Sequence, residues 1–299
     1  MQPGSILICG VGGVGAAWAA AIGAATPEIV DLLVIDGDPS TEPLAPAQWI
    51  PLNPSLEGVG TAGVPDLGRL RMEEHVPLLD EILLDVDLLI LAGALGGGAA
   101  TGAMPVIAQR ANRSGTLTVG LVGLPFPYQS ERLNRARSAL PELREILDLC
   151  VEVRLDRLSL VGYERGQDWL DGAGWITDMA SGLCATLARQ GLINLDLSDL
   201  RTIVAKGGPR STLICATGDA ADVERLWRTA LESPLDTLVP GECTTCLLHI
   251  EGGAWLTVAQ LDAIAERFTG LLAADATVIL GARLDRELDS EARIVGVIS

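Results

Sequence analysis

Through the first two-thirds of the chain, short continuous apolar or β-branched runs alternate with stretches whose apolar residues recur at helical spacing. The runs predict strands at 5–9, 32–36, 86–92, 116–122 and 149–154, and the stretches between them predict helices near 14–24, 67–83, 102–113 and 130–146. This alternation predicts an α/β fold built on a doubly wound, mostly parallel sheet, because neighbouring parallel strands need a crossover and a helix usually supplies it. In such a sheet, ligands sit at the carboxyl ends of the strands. Residues 39–65 are rich in Pro, Gly and Asn and read as a long irregular connection. A helix near 171–189 follows, and after GLINLD at 191–196 another runs to about 205. The remainder predicts strands near 211–217, 243–250, 275–281 and 292–298, with helices near 219–232 and 257–270. The expected organisation is a main α/β domain over 1–170, a core helix and loop over 171–204, and a smaller α/β domain over 205–299.

Composition narrows the function classes. Of 299 residues, 48% are hydrophobic and 20% charged, a globular balance that excludes a disordered, collagen-like or coiled-coil chain. With 21 Lys+Arg against 39 Asp+Glu, the net charge of −18 argues against a nucleic-acid surface and against direct binding to an anionic membrane. It leaves room for an anionic small molecule, which backbone amides and helix N-termini hold locally. The six cysteines (Cys9, Cys150, Cys184, Cys215, Cys243, Cys246) are too dispersed for a disulfide framework and fit a reducing cytoplasm. No Lys or Arg precedes the apolar run within 1–27, so a signal-peptide n-region is missing. The uncharged stretch 88–108 is long enough to cross a bilayer, but Gly96-Gly97-Gly98 and Pro105 interrupt it, and it reads as strand, loop and buried helix. The expected location is cytoplasmic.

Three motifs carry candidate chemistry. Gly10-Val-Gly12-Gly13-Val-Gly15 directly follows the first strand and opens a helix, with Asp36 and Asp38 at the end of the second strand. Glycines permit a sharp turn and a close approach of backbone to phosphate, and the helix dipole favours the negative charge. A second glycine loop, Gly96-Gly97-Gly98-Ala99-Ala100-Thr101-Gly102, follows the strand ending near Ala92. Its exposed N–H groups and the Thr101 hydroxyl suit an anion, and two such loops on one sheet make a two-sided phosphate cradle. The third motif holds Asn194, Asp196 and Asp199 at a helix start. Acids three apart share one side of a helix and can position a water, although spacing alone favours a capping role. Cys243 and Cys246 lie in or near a strand, where residues three apart face opposite ways, so buried thiols are expected rather than a zinc site with His249. Arg132, Arg135, Arg137 and Arg144 fall on one helix and read as a solvated face, and the six tryptophans form no stacking platform.

The glycine loop 96–105, the run 116–126 (TLTVGLVGLPF) and 191–204 (GLINLDLSDLRTIV) resemble FtsZ, the bacterial homologue of tubulin. The stretches 57–74 (EGVGTAGVPDLGRLRMEE) and 279–288 (ILGARLDREL) agree, in order, so the likeness covers nearly the whole chain. It implies a GTP-binding, GTP-hydrolysing cytoskeletal protein, with GTP or GDP bound together with Mg2+, that assembles with itself into head-to-tail filaments; a division ring is the commonest family role. By position it implies that Gly12, Gly13 and Gly15 line one side of the phosphates and that Gly96, Gly97, Gly98, Thr101 and Gly102 line the other. Asp36 joins the nucleotide site, and Asn194, Asp196 and Asp199 orient the attacking water on the nucleotide of a neighbouring subunit.

The chain departs from the family at several positions. Ala17 stands where the family has asparagine, and Ala99-Ala100 where it has Thr-Gly. Gln129 replaces the acid that contacts the sugar, and Leu133 replaces the following arginine, with Arg132 and Arg135 close by. Trp169 takes the place of the aromatic residue near the base, and Asp171 is the nearest acid for the guanine edge. The family's C-terminal linker and adaptor-binding peptide are missing from the sequence. These departures point to a divergent relative and keep open a non-hydrolysing scaffold with weak or no nucleotide binding. A third reading is that 6–18 (ILICGVGGVGAAW) and 33–38 (LVIDGD) also resemble ATP-dependent adenylating enzymes of the ubiquitin-activating type. That family's zinc site needs two C-x-x-C pairs, and the loops at 96–102 and 191–204 have no counterpart in it.

Overall fold

A computed structural model describes residues 4–43, 47–53, 60–166, 174–207, 211–231 and 240–299. They form two compact units, Gly4–Ala180 and Ser181–Ser299, divided inside the helix Trp175–Ala188. The expected boundaries near 170 and 204 mark changes in sequence pattern; the compact units change over within that helix.

In the first unit six strands run parallel: β1 (Ile6–Val11), β2 (Val30–Asp36), β3 (Gln48–Pro51), β4 (Leu88–Ala94), β5 (Leu117–Leu124) and β6 (Leu149–Arg154). Their order is β3-β2-β1-β4-β5-β6. All six residues of β1 (ILICGV) are buried, as a strand covered on both faces requires. The helices are α1 (Gly12–Ala25), α2 (Pro65–Glu74), α3 (Val76–Leu83), α4 (Gly98–Arg113), α5 (Ser130–Ile146) and α6 (Leu155–Arg165). Helix α4 buries most of its length, from Gly98 through Ala108. Leu7, Cys9 and Val11 of β1 pack in one core with Met72, Leu79, Leu83, Met104 and Ile107 from α2, α3 and α4. The strand order reverses where β1 and β4 lie side by side, the position at which doubly wound sheets open a crevice.

Four local features differ from the sequence expectation. Strand β3 pairs with β2 inside the stretch expected to be irregular; it has four residues, of which only Ile50 is fully buried, so it carries no pattern to read. The expected helix 67–83 is two helices that meet at His75, with Pro77 in the first turn of α3, where its missing N–H costs nothing. Helix α6 follows β6 directly, where the sequence pattern predicts no helix. The glycine loops themselves form the first turns of α1 and α4, ahead of the expected starts at 14 and 102. Glycine's poor helix propensity masks such starts.

The second unit holds the C-terminal part of α7 (Trp175–Ala188) with α8 (Leu197–Gly207), β7 (Thr212–Asp219), α9 (Val223–Leu231), β8 (Thr245–Gly252), α10 (Val258–Thr269), β9 (Thr277–Leu284) and β10 (Glu291–Ile298). Its sheet runs β7-β10-β8-β9, with β10 antiparallel to both neighbours and β8 parallel to β9. Trp227 of α9 stacks on Phe268 of α10 at 3.9 Å and donates its indole N–H to the Ile264 carbonyl at 3.0 Å. Glu251 on β8 lies between its cross-strand partners, Arg283 on β9 and Arg293 on β10. Its carboxylate, fully buried, is 2.6 Å from Arg283, 3.5 Å from Arg293 and 3.5 Å from His249. Burial would push Glu251 up, but the His249 hydrogen bond and the two guanidinium charges hold it below the ordinary carboxylate range. Among the described residues, no helix is long and apolar enough to cross a membrane.

Candidate functional site

A cleft of about 550 Å³ lies in the first unit, lined by Val11 at the end of β1, Asp36 at the end of β2, Ala94 at the end of β4, and the first turns of α1 and α4. That size suits a small organic ligand. Val11 and Gly97 are the N-caps of α1 and α4; neither helix has a side-chain cap, and neither has an acid in its first turn. The first N–H groups of a helix have no intrahelical partner and carry the positive end of its dipole. The same chain caps α10 fully, with Thr257 and Gln260 in a reciprocal capping box. Two uncapped, acid-free helix starts facing one cleft therefore form a backbone-built anion site.

The glycines divide by position. Gly12, Gly13, Gly97 and Gly98 line the cleft. Gly12 has φ +72°, a left-handed conformation that favours glycine. A Cβ on Gly13 or Gly97 would meet nothing within 4 Å, so both leave the backbone open to a ligand. Gly15, Gly96, Thr101 and Gly102 lie outside the lining. A Cβ on Gly15 would collide with the Ala92 carbonyl, and one on Gly102 with the Pro65 carbonyl, so these two let α1 approach β4 and α4 approach α2. Gly98 serves both purposes, because a Cβ there would strike the Thr61 hydroxyl and come within 2.7 Å of the Val64 nitrogen. Thr101 is buried, and its hydroxyl accepts the Gly96 N–H at 2.8 Å, which closes the loop from behind.

Asp36 is the one carboxylate among the described lining residues. It is 8% exposed and accepts the Gly37 N–H at 2.7 Å; burial raises its pKa, and that hydrogen bond offsets part of the rise. Gln129 also lines the cleft, together with Phe126 and Tyr128, whose rings stack at 5.4 Å. Arg132 is the one cation among the described lining residues. Arg132 and Arg135 are exposed, as a solvated face would have them, yet the first borders the cleft and the second donates to loop carbonyls behind it. The available signal was their spacing, one helical turn apart directly after the Pro-Phe segment. Trp169 and Asp171 lie outside the described residues.

Asn194, Asp196 and Asp199 belong to the Ser181–Ser299 unit. Asn194 accepts the Gly191 N–H at 2.7 Å. Asp196 accepts from the Ser198 N–H at 2.7 Å, from the Ser198 hydroxyl at 2.5 Å and from the Asp199 N–H at 3.1 Å, while Asp199 accepts the Asp196 N–H at 3.0 Å. This is a reciprocal cap on α8. The Ser198 hydroxyl, followed by the Asp199 N–H, holds Asp196 below the ordinary aspartate range. Both acids remain half-exposed. The six cysteines are buried and none is in a disulfide, and among the described residues no group of three or more His, Cys, Asp or Glu could hold a metal ion.

Comparison with known proteins follows the same two-unit division. Residues 5–161 match the model of the Tubulin/FtsZ family, GTPase domain, and residues 213–299 match the FtsZ family, C-terminal domain. The chain is 31% identical over 247 residues to cell division protein FtsZ 2 of Haloferax volcanii, covering 81% of this chain and 61% of that protein. It is also 31% identical over 247 residues to FtsZ 2 of Methanocaldococcus jannaschii, covering 81% and 65%. The chain thus spans less than two-thirds of the length of these relatives. Among solved structures, an FtsZ dimer of M. jannaschii superposes with a TM-score of 0.85 at 24% identity, covering 100% of this chain and 88% of the other. A GTPγS-bound protofilament of CetZ2 from Haloferax volcanii superposes with a TM-score of 0.78 at 16% identity, covering 98% and 92%. At these identities the likeness is one of fold. With the GTPase-domain model matched over 5–161 and the C-terminal model over 213–299, the chain belongs to the Tubulin/FtsZ family.

Proposed function

We propose that this chain binds GTP or GDP in the cleft between α1 and α4, hydrolyses GTP, and assembles head to tail with copies of itself. The observation that carries the reading is the pair of uncapped, acid-free helix N-termini facing one cleft in a domain of GTPase type. Phosphoryl transfer depends mostly on positioning and charge stabilisation, and backbone N–H groups at fixed helix ends supply both without rearrangement. Gly13 and Gly97 leave room for phosphate against the main chain, and Arg132 adds positive charge at the rim. Asp36 would repel a bare phosphate; it fits a nucleotide accompanied by Mg2+, which takes one or two carboxylates and phosphate oxygens as ligands. Gln129 and Tyr128 offer an amide and an aromatic ring to the sugar and base.

Asp196 and Asp199 are assigned to the nucleotide of an adjoining copy, where a half-exposed carboxylate held ionised orients the attacking water. Support for assembly comes from relatives known as a dimer and as a protofilament, and from Leu192 and Ile193, which are 68% and 45% exposed beside the acids. The test is phosphate release and pelleting with GTP and with ATP. Asp196→Asn keeps a good cap and removes the charge. Unchanged GTP turnover in that variant refutes the water-orienting assignment. A mixture of Gly97→Val with Asp199→Asn should regain turnover that each lacks alone, because each spoils a different half of a shared site. Absence of regain refutes the shared site.

A further inference from the structure

The structure assigns Arg135 a positioning role: its guanidinium holds the Gly63 and Gly96 carbonyls from behind and thereby sets the direction of the Gly97 N–H offered to the ligand. The inference rests on the reading of the cleft as a phosphate site. Arg135 lies on α5 and donates from one nitrogen to the Gly63 carbonyl at 3.2 Å and to the Gly96 carbonyl at 3.4 Å. Both glycines have left-handed φ, +72° and +93°, so both belong to tight turns that glycine makes possible. Gly63 lines the cleft, and Gly96 immediately precedes Gly97, which also lines it. A trans peptide is planar, with its C=O and N–H pointing in opposite directions. Holding the Gly96 carbonyl on the α5 side therefore turns the Gly97 N–H away from α5.

A second tether completes the clamp. The buried Thr101 hydroxyl accepts the Gly96 N–H at 2.8 Å, so both polar groups of Gly96 are held by side chains outside the cleft lining. Arg135 also makes a 3.4 Å pair with Glu131, one turn away and exposed, an interaction of little energetic weight. One guanidinium thus ties the 60–64 turn to the 95–98 loop, the two segments that close the α4 side of the cleft.

The experiment pairs hydrogen exchange on the ligand-free protein with nucleotide titration. In Arg135→Ala, amides of peptides covering 95–101 should exchange about tenfold faster, while peptides from β4 and β5 stay as in the wild type. The Kd for GTP and GDP should rise about tenfold, equally at 50 and at about 500 mM KCl, because a lost hydrogen-bonded tether is not screened by salt. Arg135→Lys, with a single point donor, should restore about half of the lost binding free energy, leaving roughly a threefold rise. Glu131→Ala should leave the affinity unchanged. Unaltered exchange at 95–101 overturns the proposal, and so does acceleration throughout the Gly4–Ala180 unit. An affinity loss that vanishes at high salt also overturns it, since Arg135 would then act only as a distant charge. If the wild type binds neither nucleotide, the phosphate reading fails and takes this role with it; the exchange result distinguishes that failure from an absent tether.

Discussion

Replacing Gly97, Gly98 and Gly102 one at a time by alanine separates binding from packing within a single loop. Gly97 has φ −90° and ψ 177°, a conformation open to any residue, and a methyl there meets nothing within 4 Å. The substitution removes backbone freedom from the unfolded chain, so folding stability should stay level or rise by about 0.4–1 kcal/mol. The same methyl projects into the space left for a ligand at the helix end. Loss of one close phosphate contact, worth about 1.4 kcal/mol or more, weakens nucleotide binding at least tenfold. Alanine at Gly98 collides with Thr61, and alanine at Gly102 with the Pro65 carbonyl and, at 2.5 Å, the Arg69 nitrogen. Backbone cannot swing aside as a flexible side chain can, so α2 and α4 must separate, at a cost of about 1–3 kcal/mol. For a unit of this size, that is a fall in Tm of about 2–12 °C. Thermal unfolding without nucleotide and titration with a fluorescent GTP analogue read the two effects separately. A Gly97→Ala protein that binds nucleotide as the wild type does would refute the assignment of that loop to phosphate.

Asp196→Ala should destabilise the second unit by about 1 kcal/mol through loss of the α8 cap, measured by urea unfolding, while Asp196→Asn should cost only a few tenths. Because its folded pKa is depressed, the Asp196 contribution is complete above the unfolded value and disappears as pH falls through the lowered folded value; the gap between wild type and Asp196→Ala should close in acid. Glu251→Gln leaves Arg293 without its carboxylate and Arg283 with only Asp285, at 3.7 Å, and should cost about 3–5 kcal/mol in the unfolding free energy of that unit, measured by urea denaturation. The sign for Glu251 is the same: its stabilisation is present at neutral pH and lost as pH drops below the ordinary glutamate range, so an acid titration followed by Trp227 fluorescence should unfold the wild type towards the level of the variant. Burial pushes Cys150 and Cys184 up to about 12, so a thiol reagent at pH 8 should label neither in the native protein and both in denaturant.

The parallel sheet was legible because β1, β4 and β5 are continuous apolar runs, and the two glycine loops were legible because each follows such a run. Which glycine faces the cleft was not legible. Gly97 and Gly98 both line it, yet only Gly98 is also packed against Thr61 and Val64, while Gly15, Gly96 and Gly102 of the same motifs lie outside it, and nothing in the residue type tells them apart. β3 is not legible in the sequence, because four residues with one fully buried side chain leave no alternation to detect. The capping role of Asp196 and Asp199 followed from their spacing, whereas their assignment to a neighbour's nucleotide came from the resemblance alone. Arg132 and Arg135 read as solvated because both are exposed on one helix face, and their one-turn spacing does not say what they reach: Arg135 donates to backbone carbonyls far away in sequence, which composition does not encode.

A recess whose anion-facing groups are main-chain amides at two helix starts has an evolutionary consequence. Point substitution exchanges side chains and leaves the peptide group in place, so such a recess can be inherited while the residues around its mouth diverge. On the proposed reading, the position occupied by Gln129 can change, altering which sugar is preferred, without removing the amides offered to the phosphates. Relatives that keep the two helix starts, on that same reading, keep the grip on phosphate, and changes at the rim decide what else is recognised.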